Sequence, residues 1–273
     1  MTHELYRKPA VAGSFYPDTE DALRFMVDGF LEESGVNPAK EGVASIVVPH
    51  AGYVYSGSTA ACAFQRVSGS NIERVILLGC SHHFSFDGAS IVTSGEFETP
   101  LGTFPIDDEF ATRLAADTLT ADAEPHVPEH ALEVELPFLA IAVGLVPIVP
   151  ILFGSRFGPW HREFAGMLAE MTSDTDLVIA SSDLSHYLTE SQANTIDHAT
   201  LDTLLTQDVD NFAQGVDTGR CSVCSLAAVG TAMTYSLARG ADQWTLLDHC
   251  TSARASGDVT RVVGYAAVSM ESA

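Results

Sequence analysis

Lysine is nearly missing from this 273-residue chain. Only Lys8 and Lys40 occur, and arginine supplies the rest of the 13 cations. Against them stand 36 aspartates and glutamates, for a formal net charge of -23. A surface this acidic repels phosphate backbones and anionic bilayers, which argues against nucleic acid and membrane as partners. Disorder is not the reason for the charge, because the carboxylates are dispersed and 46% of residues are hydrophobic. Scarce lysine with scattered Asp and Glu matches the proteome style of a salt-loving archaeon, where salt screens the self-repulsion. No apolar run reaches the ~18 residues of a membrane-crossing helix. The opening MTHELYRKPA is polar and carries no signal-peptide core. Five cysteines, an odd number, argue against a disulfide framework and for a reducing cytoplasm. A Gly-rich phosphate loop and a G-x-S-x-G nucleophile elbow are also missing.

What is present is alternation. Strand-like, β-branched runs at 44–48, 74–78, 89–92, 145–152, 177–181, 244–247 and 261–268 are separated by helix-like runs at 58–66, 107–116, 131–143, 161–171, 191–206 and 225–238. A further helix follows Asp18 or Thr19, with Leu23, Met26, Val27 and Phe30 on one face. FETPLGTFPID reads as a loop or short hairpin, because Pro100, Gly102 and Pro105 punctuate it. No linker divides the chain. The expectation is one α/β domain over residues 1–273, with a central mixed or mostly parallel sheet and helices on both faces.

Three of the strand-like runs end in chemistry. ASIVVPHAGY ends in His50, RVILLGCSHH in His82 and His83, and DLVIASSDLSHY in Asp183 and His186. Open α/β sheets bind ligands beyond the carboxyl ends of their strands, so these groups are expected to share one crevice. Of the adjacent His82 and His83 only one can face it. Cys80 reads as a buried apolar residue rather than a ligand. Asp183 lies three residues before His186, close enough to fix its tautomer, although the same residues also read as a capped helix start. In EPHVPEHALEVELPF, Glu129, His130 and Glu133 form either a metal or acid/base cluster or a dipole-favoured helix start. The Cys221 and Cys224 pair of RCSVCS lacks the second pair of a structural zinc site and precedes a small-residue helix, so it reads as core. Asp248, His249, Cys250 and Asp258 fall between two strands, in a loop able to reach the same edge.

Taken in order, AGSFYP, VPHAGYVYSG, LLGCSHH, TPLGTFPID, EHALEVELPF, ASSDLSH and VVGYAA resemble the Memo family over nearly the whole chain. The resemblance implies a fold like the class III extradiol dioxygenases, which hold non-haem Fe(II) with two histidines and a carboxylate. It implies His50 and His82 as metal ligands, His186 as the acid/base histidine, and Asp183 as a nearby acid. The metal it implies is divalent, Fe(II) first and copper second. Animal members take a third ligand from a cysteine in the loop before the last strand, and that stretch reads SARASGD here. Asp258, Cys250, His249 or a water then stand as replacements, with His83, His130 and Glu133 beside the site. The family further implies radical-SAM and AMMECR-type protein partners. Two functions follow as expectations: a metal-dependent, dioxygenase-like redox enzyme acting on a small molecule, or an accessory binding protein that keeps the cleft without turnover.

Overall fold

The β-branched runs become strands and the 3.6-period runs become helices, with ends displaced by one to several residues. The structure, a computed structural model, describes residues 4–39, 42–154 and 156–272; Lys40 lies outside them. The strands are β1 (Leu5–Arg7), β2 (Val43–Val48), β3 (Arg74–Cys80), β4 (Ala89–Ile91), β5 (Gly95–Thr99), β6 (Gly102–Pro105), β7 (Thr120–Ala121), β8 (Ile148–Phe153), β9 (Asp176–Ser181), β10 (His186–Leu188), β11 (Gln243–Thr251) and β12 (Val262–Glu271). The helices are α1 (Glu20–Glu33), α2 (Tyr53–Val67), α3 (Asp108–Thr118), α4 (Leu136–Ala142), α5 (Pro159–Met171), α6 (Glu190–Leu205), α7 (Val209–Asp217), α8 (Leu226–Ala238) and α9 (Ala253–Ser256).

The main sheet runs β10-β12-β2-β9-β3-β8-β4-β7, with β11 also paired to β12. Its heart is parallel: β2 with β9, β9 with β3, and β3 with β8. Antiparallel strands flank it, β12 against β2 on one side and β4 against β8 on the other. A parallel heart needs cover on both faces, and every residue of β8 and β9 is buried. Helices α1, α2 and α4 pack together in one layer, and α5, α7 and α8 in the other. The mixed α/β sheet is the one the alternation implies.

Smaller departures have local causes. The run at 131–143 is not one helix: a 3-10 turn at Glu133–Glu135 leads into α4, and the carboxylates here are tied to distant parts of the chain, Glu129 to His82 and Glu133 to Arg7. Helix α7 was not foreseen; Asp208 caps it by accepting from the Asn211 N–H. FETPLGTFPID does form a hairpin, β5-β6, and β1 adds to it as a third, parallel strand. Gly79 in β3 has a close-approach role. A Cβ there would sit 2.8 Å from Leu132 Cδ2, so the glycine lets the Glu129–Glu135 segment lie against the sheet.

Candidate metal centre

Strands β2, β9 and β3 are neighbours and parallel, so their carboxyl ends open on one edge. His50 follows β2 by two residues, Asp183 follows β9 by two, and His82 follows β3 by two. This brings the rings together. The His50 and His82 centroids are 5.1 Å apart with the rings edge-on, and His130 lies 4.6 Å from His82 and 5.5 Å from His50. Both histidines of the pair are exposed, and it is the His82 ring that lies against His50 and His130.

Hydrogen-bond accounting fixes the tautomers. Ser181 Oγ donates to the Ala131 carbonyl at 2.7 Å, so it has no proton left for His50 Nδ1, also at 2.7 Å. His50 therefore carries its hydrogen on Nδ1 and presents a bare Nε2. Burial, first of all, then the neighbouring His82 and His130, push its pKa well below the usual value, so it stays neutral. His82 donates from Nδ1 to Glu129 Oε1 at 2.9 Å, and its backbone N–H donates to Glu129 Oε2 at 2.6 Å. Its Nε2 is then directed to the cluster, 3.8 Å from Cys80 Sγ. The hydrogen bonds to Cys80 and then to Glu129 lift His82 to about 10. Burial works to raise Glu129, but the bonds it accepts from His82 and from the Ala131 N–H hold it at about 2.

The third donor is Cys224, which the sequence reading assigned to the core. Its Sγ lies 3.3 Å from His50 Nε2 and accepts from the Asp183 N–H at 3.1 Å. The backbone pairs back, Cys224 N–H to the Asp183 carbonyl at 3.0 Å, and Ser225 N–H reaches Ser182 Oγ at 3.1 Å. The CSVCS segment is thus stitched to SSD along the β9 end. Among the described residues, two groups of three donors have their ligand atoms within 4.8 Å of one another: His50, His82 and Cys224, and His82, Glu129 and His130. Burial pushes the Cys224 thiol well up. Cys80, a free thiol hydrogen-bonded by Cys224 and then by His82, is drawn down to about 5.

Asp183 Oδ1 accepts the His50 N–H at 2.9 Å, and burial raises its pKa to about 7. His186 Nε2 stands 3.9 Å from Asp183 Oδ2, while its Nδ1 donates to the Leu184 carbonyl at 3.0 Å. The residue that follows has an unusual backbone: Tyr187 has φ 61, a left-handed conformation that costs a non-glycine residue on the order of 1–3 kcal/mol.

Four residues expected at or beside the centre are placed elsewhere. Asp258 is exposed and caps a turn by accepting from Thr260. Cys250 is buried on β11 against Thr59, and His249 pairs with the buried Asp197 at 3.3 Å. All three sit where β11 and β12 turn back, on the far side of β12 from the parallel strands. Glu133 is fully buried and committed to the N-terminal segment: it accepts from Arg7, Ala10, Val11 and Tyr16 at 2.6–3.0 Å. Glu129 and Cys224 had weaker signals. Both immediately precede a turn or helix start that lies against the edge, the same position as His50 before α2.

The Memo family profile, described as Memo-like protein, matches residues 7–269. The chain belongs to the Memo family. Relatives described as MEMO1 family proteins include one from Nitrosopumilus maritimus, 32% identical over 97% of this chain and 99% of its own, and one from Methanobrevibacter smithii, 35% identical over 96% and 98%. A third, from Caldivirga maquilingensis, is 34% identical over 96% and 98%. A crystal structure of an uncharacterized Escherichia coli K12 protein, JW3007, superposes with a TM-score of 0.51 at 12% identity, over 84% of this chain and 99% of that one. That likeness is one of fold alone. No helix among the described residues is long and apolar enough to cross a membrane.

Proposed function

We propose that this Memo-family chain is a metal-binding protein whose centre is His50, His82 and Cys224, and that it performs redox chemistry on a small molecule. One observation carries the reading: three donor atoms of metal-ligating type lie within 4.8 Å of one another at the carboxyl edge of the sheet. The residues fit a bound cation. Both imidazoles engage Nδ1 with an orienting partner, Ser181 or Glu129, which leaves Nε2 for the metal. Cys224 is buried against losing its proton, and a cation beside it is the ordinary remedy. A thiolate in place of the carboxylate of the extradiol enzymes moves the preference toward a softer ion, so copper gains on Fe(II). When bound, such an ion supplies electron transfer to or from a substrate held at the edge. His186, oriented by Asp183 and the Leu184 carbonyl, holds the mobile proton on that side of the cleft.

The test is elemental analysis of protein prepared without oxygen, comparing wild type with His50→Ala/His82→Ala and with Cys224→Ser. Stoichiometric metal in the wild type and its loss in the double variant are expected. Equal metal in all three overturns the centre. The accessory-protein reading, with radical-SAM and AMMECR-type partners, drew its motive from a missing cysteine, and Cys224 weakens that motive. Oxygen uptake across a panel of phenols separates the two: turnover excludes a purely accessory role.

A further inference from the structure

A cavity of about 490 Å³ opens beside Cys80 and Cys224. That volume is in the range of small-molecule sites. Its walls are of two kinds. Phe153, Phe157, Val223 and Leu226 form apolar sides, while Arg156, Asp217 and Ser225 are polar. Arg156 is notable in a chain with 13 cations against 36 acids. Ser225 is the residue before α8, yet its side chain makes no cap bond. Its Oγ is buried and has no hydrogen-bond partner, and Ser225 itself is 2% exposed. An unpaired hydroxyl in such a place costs about 1–3 kcal/mol, unless something outside the chain meets it. The first N–H groups of a helix are also without intrahelical acceptors, and Leu226 and Ala227 line the same cavity.

We propose that this cavity binds the substrate as a small organic monoanion, a carboxylate on a flat apolar body. The carboxylate faces Arg156, the Ser225 hydroxyl and the α8 N-terminus; the body lies between Phe153 and Phe157 and points at Cys80 and Cys224. Asp217 on the rim sets the charge. One cation opposite one acid favours a single negative charge over a phosphate dianion. The proposal rests on the metal reading only in naming the ligand a substrate, because the cavity, the arginine and the unpaired hydroxyl are independent of any ion.

Fluorine NMR on metal-free protein tests it with three probes of one size: 4-fluorobenzoate, 4-fluorobenzamide and 4-fluorophenyl phosphate. At the low end of ligand efficiency, about 0.3–0.4 kcal/mol per heavy atom, probes of this size bind on the order of millimolar. The benzoate is expected to bind tightest. Arg156→Gln, a substitution at an exposed residue, is expected to weaken benzoate about tenfold and leave benzamide within about twofold. Ser225→Ala is expected to weaken benzoate a few-fold with an unchanged melting transition. Equal binding of benzoate and benzamide, or an Arg156→Gln variant that binds benzoate as the wild type does, overturns the anion site. Tighter binding of the phosphate overturns the single-charge assignment. Failure of the two readings is distinguishable. Metal retained at the centre while the probes show no charge preference sinks the cavity alone; charge-selective binding in protein that never takes up metal sinks the centre alone.

Discussion

Glu129, Glu133 and Glu135 lie within seven residues of one another, all buried, yet they serve two regions that differ in kind. Glu133 belongs to a closed latch. Each of its oxygens accepts two bonds, from Arg7 and Ala10 on one and from Val11 and Tyr16 on the other, and the Arg7 pair is sealed from solvent. Glu129 belongs to an open cluster: it orients His82, whose side chain is still 33% exposed. Glu135 faces the same cluster from behind, through Ser181. The latch is saturated and can accept no further ligand. In the cluster the imidazole Nε2 atoms meet only the sulfurs of Cys224 and Cys80, weak partners that a cation can replace. Acidic residues in one short run are therefore not one site, and replacing each carboxylate by its amide separates their roles.

The largest effect is expected at the latch. Glu133→Gln leaves the buried Arg7 guanidinium without its counter-charge, and breaking one side of such a pair costs about 3–5 kcal/mol. The urea midpoint should fall accordingly in metal-free and metal-loaded protein alike. A drop below about 1 kcal/mol, the range of surface pairs, would place the latch outside the structural frame. Arg7→Leu/Glu133→Leu is expected to recover part of the loss, because no charge then stays buried alone.

Glu129→Gln is expected to act on the metal before the fold. Second-shell carboxylates on ligating histidines change affinity 10- to 100-fold, or about 1.4–2.7 kcal/mol. Competition with a chelator of known affinity reads it. A pH series adds a sign. Glu129 is held at about 2, below its ordinary value of 4.5, so its contribution to stability is whole above 4.5 and is lost as pH falls through about 2. The amide variant should lack that acid limb. An affinity equal to wild type, with the limb intact, would remove Glu129 from the cluster.

How much of this was legible in the residues follows the same division. The strand tips were readable because β-branched runs ending in Pro-His or Ser-His-His leave few places for a histidine other than the sheet edge. The parallel heart was readable because continuous apolar runs, as in β8 and β9, need cover on both faces. The third candidate donor was not. Cys224 is brought to His50 by a pairing with Asp183 across 41 residues, and no local period encodes a contact of that range. Glu133 misled for the opposite reason. A carboxylate near a histidine looks the same in a string whether its partner is a ring beside it or an arginine 126 positions away.

The smallest effect is expected at Glu135, and its sign is the sharpest of the three. Burial first, then the neighbouring Asp183, raise its pKa well above 4.5, so the fold favours the protonated form over the carboxylate. The Ser181 side chain, whose proton goes to the Ala131 carbonyl and which faces His50 Nδ1, opposes that rise. An amide keeps the shape, the neutrality and a donor, so Glu135→Gln should change stability by less than about 1 kcal/mol at pH 5. The pH dependence then runs opposite to that of Glu129. A folded pKa above the unfolded one gives stability that is whole below 4.5 and is lost as pH rises through the folded value. The wild type therefore carries a penalty that grows with pH and the amide does not, so Glu135→Gln should gain on the wild type from pH 5 to pH 9 in chemical denaturation. A variant that instead loses ground as pH rises would mean that Glu135 is a carboxylate in the folded protein. Ser181 would then give its single proton to that carboxylate rather than to the Ala131 carbonyl, and it would still accept from the His50 Nδ1–H, so the bare Nε2 of His50 stands in either case.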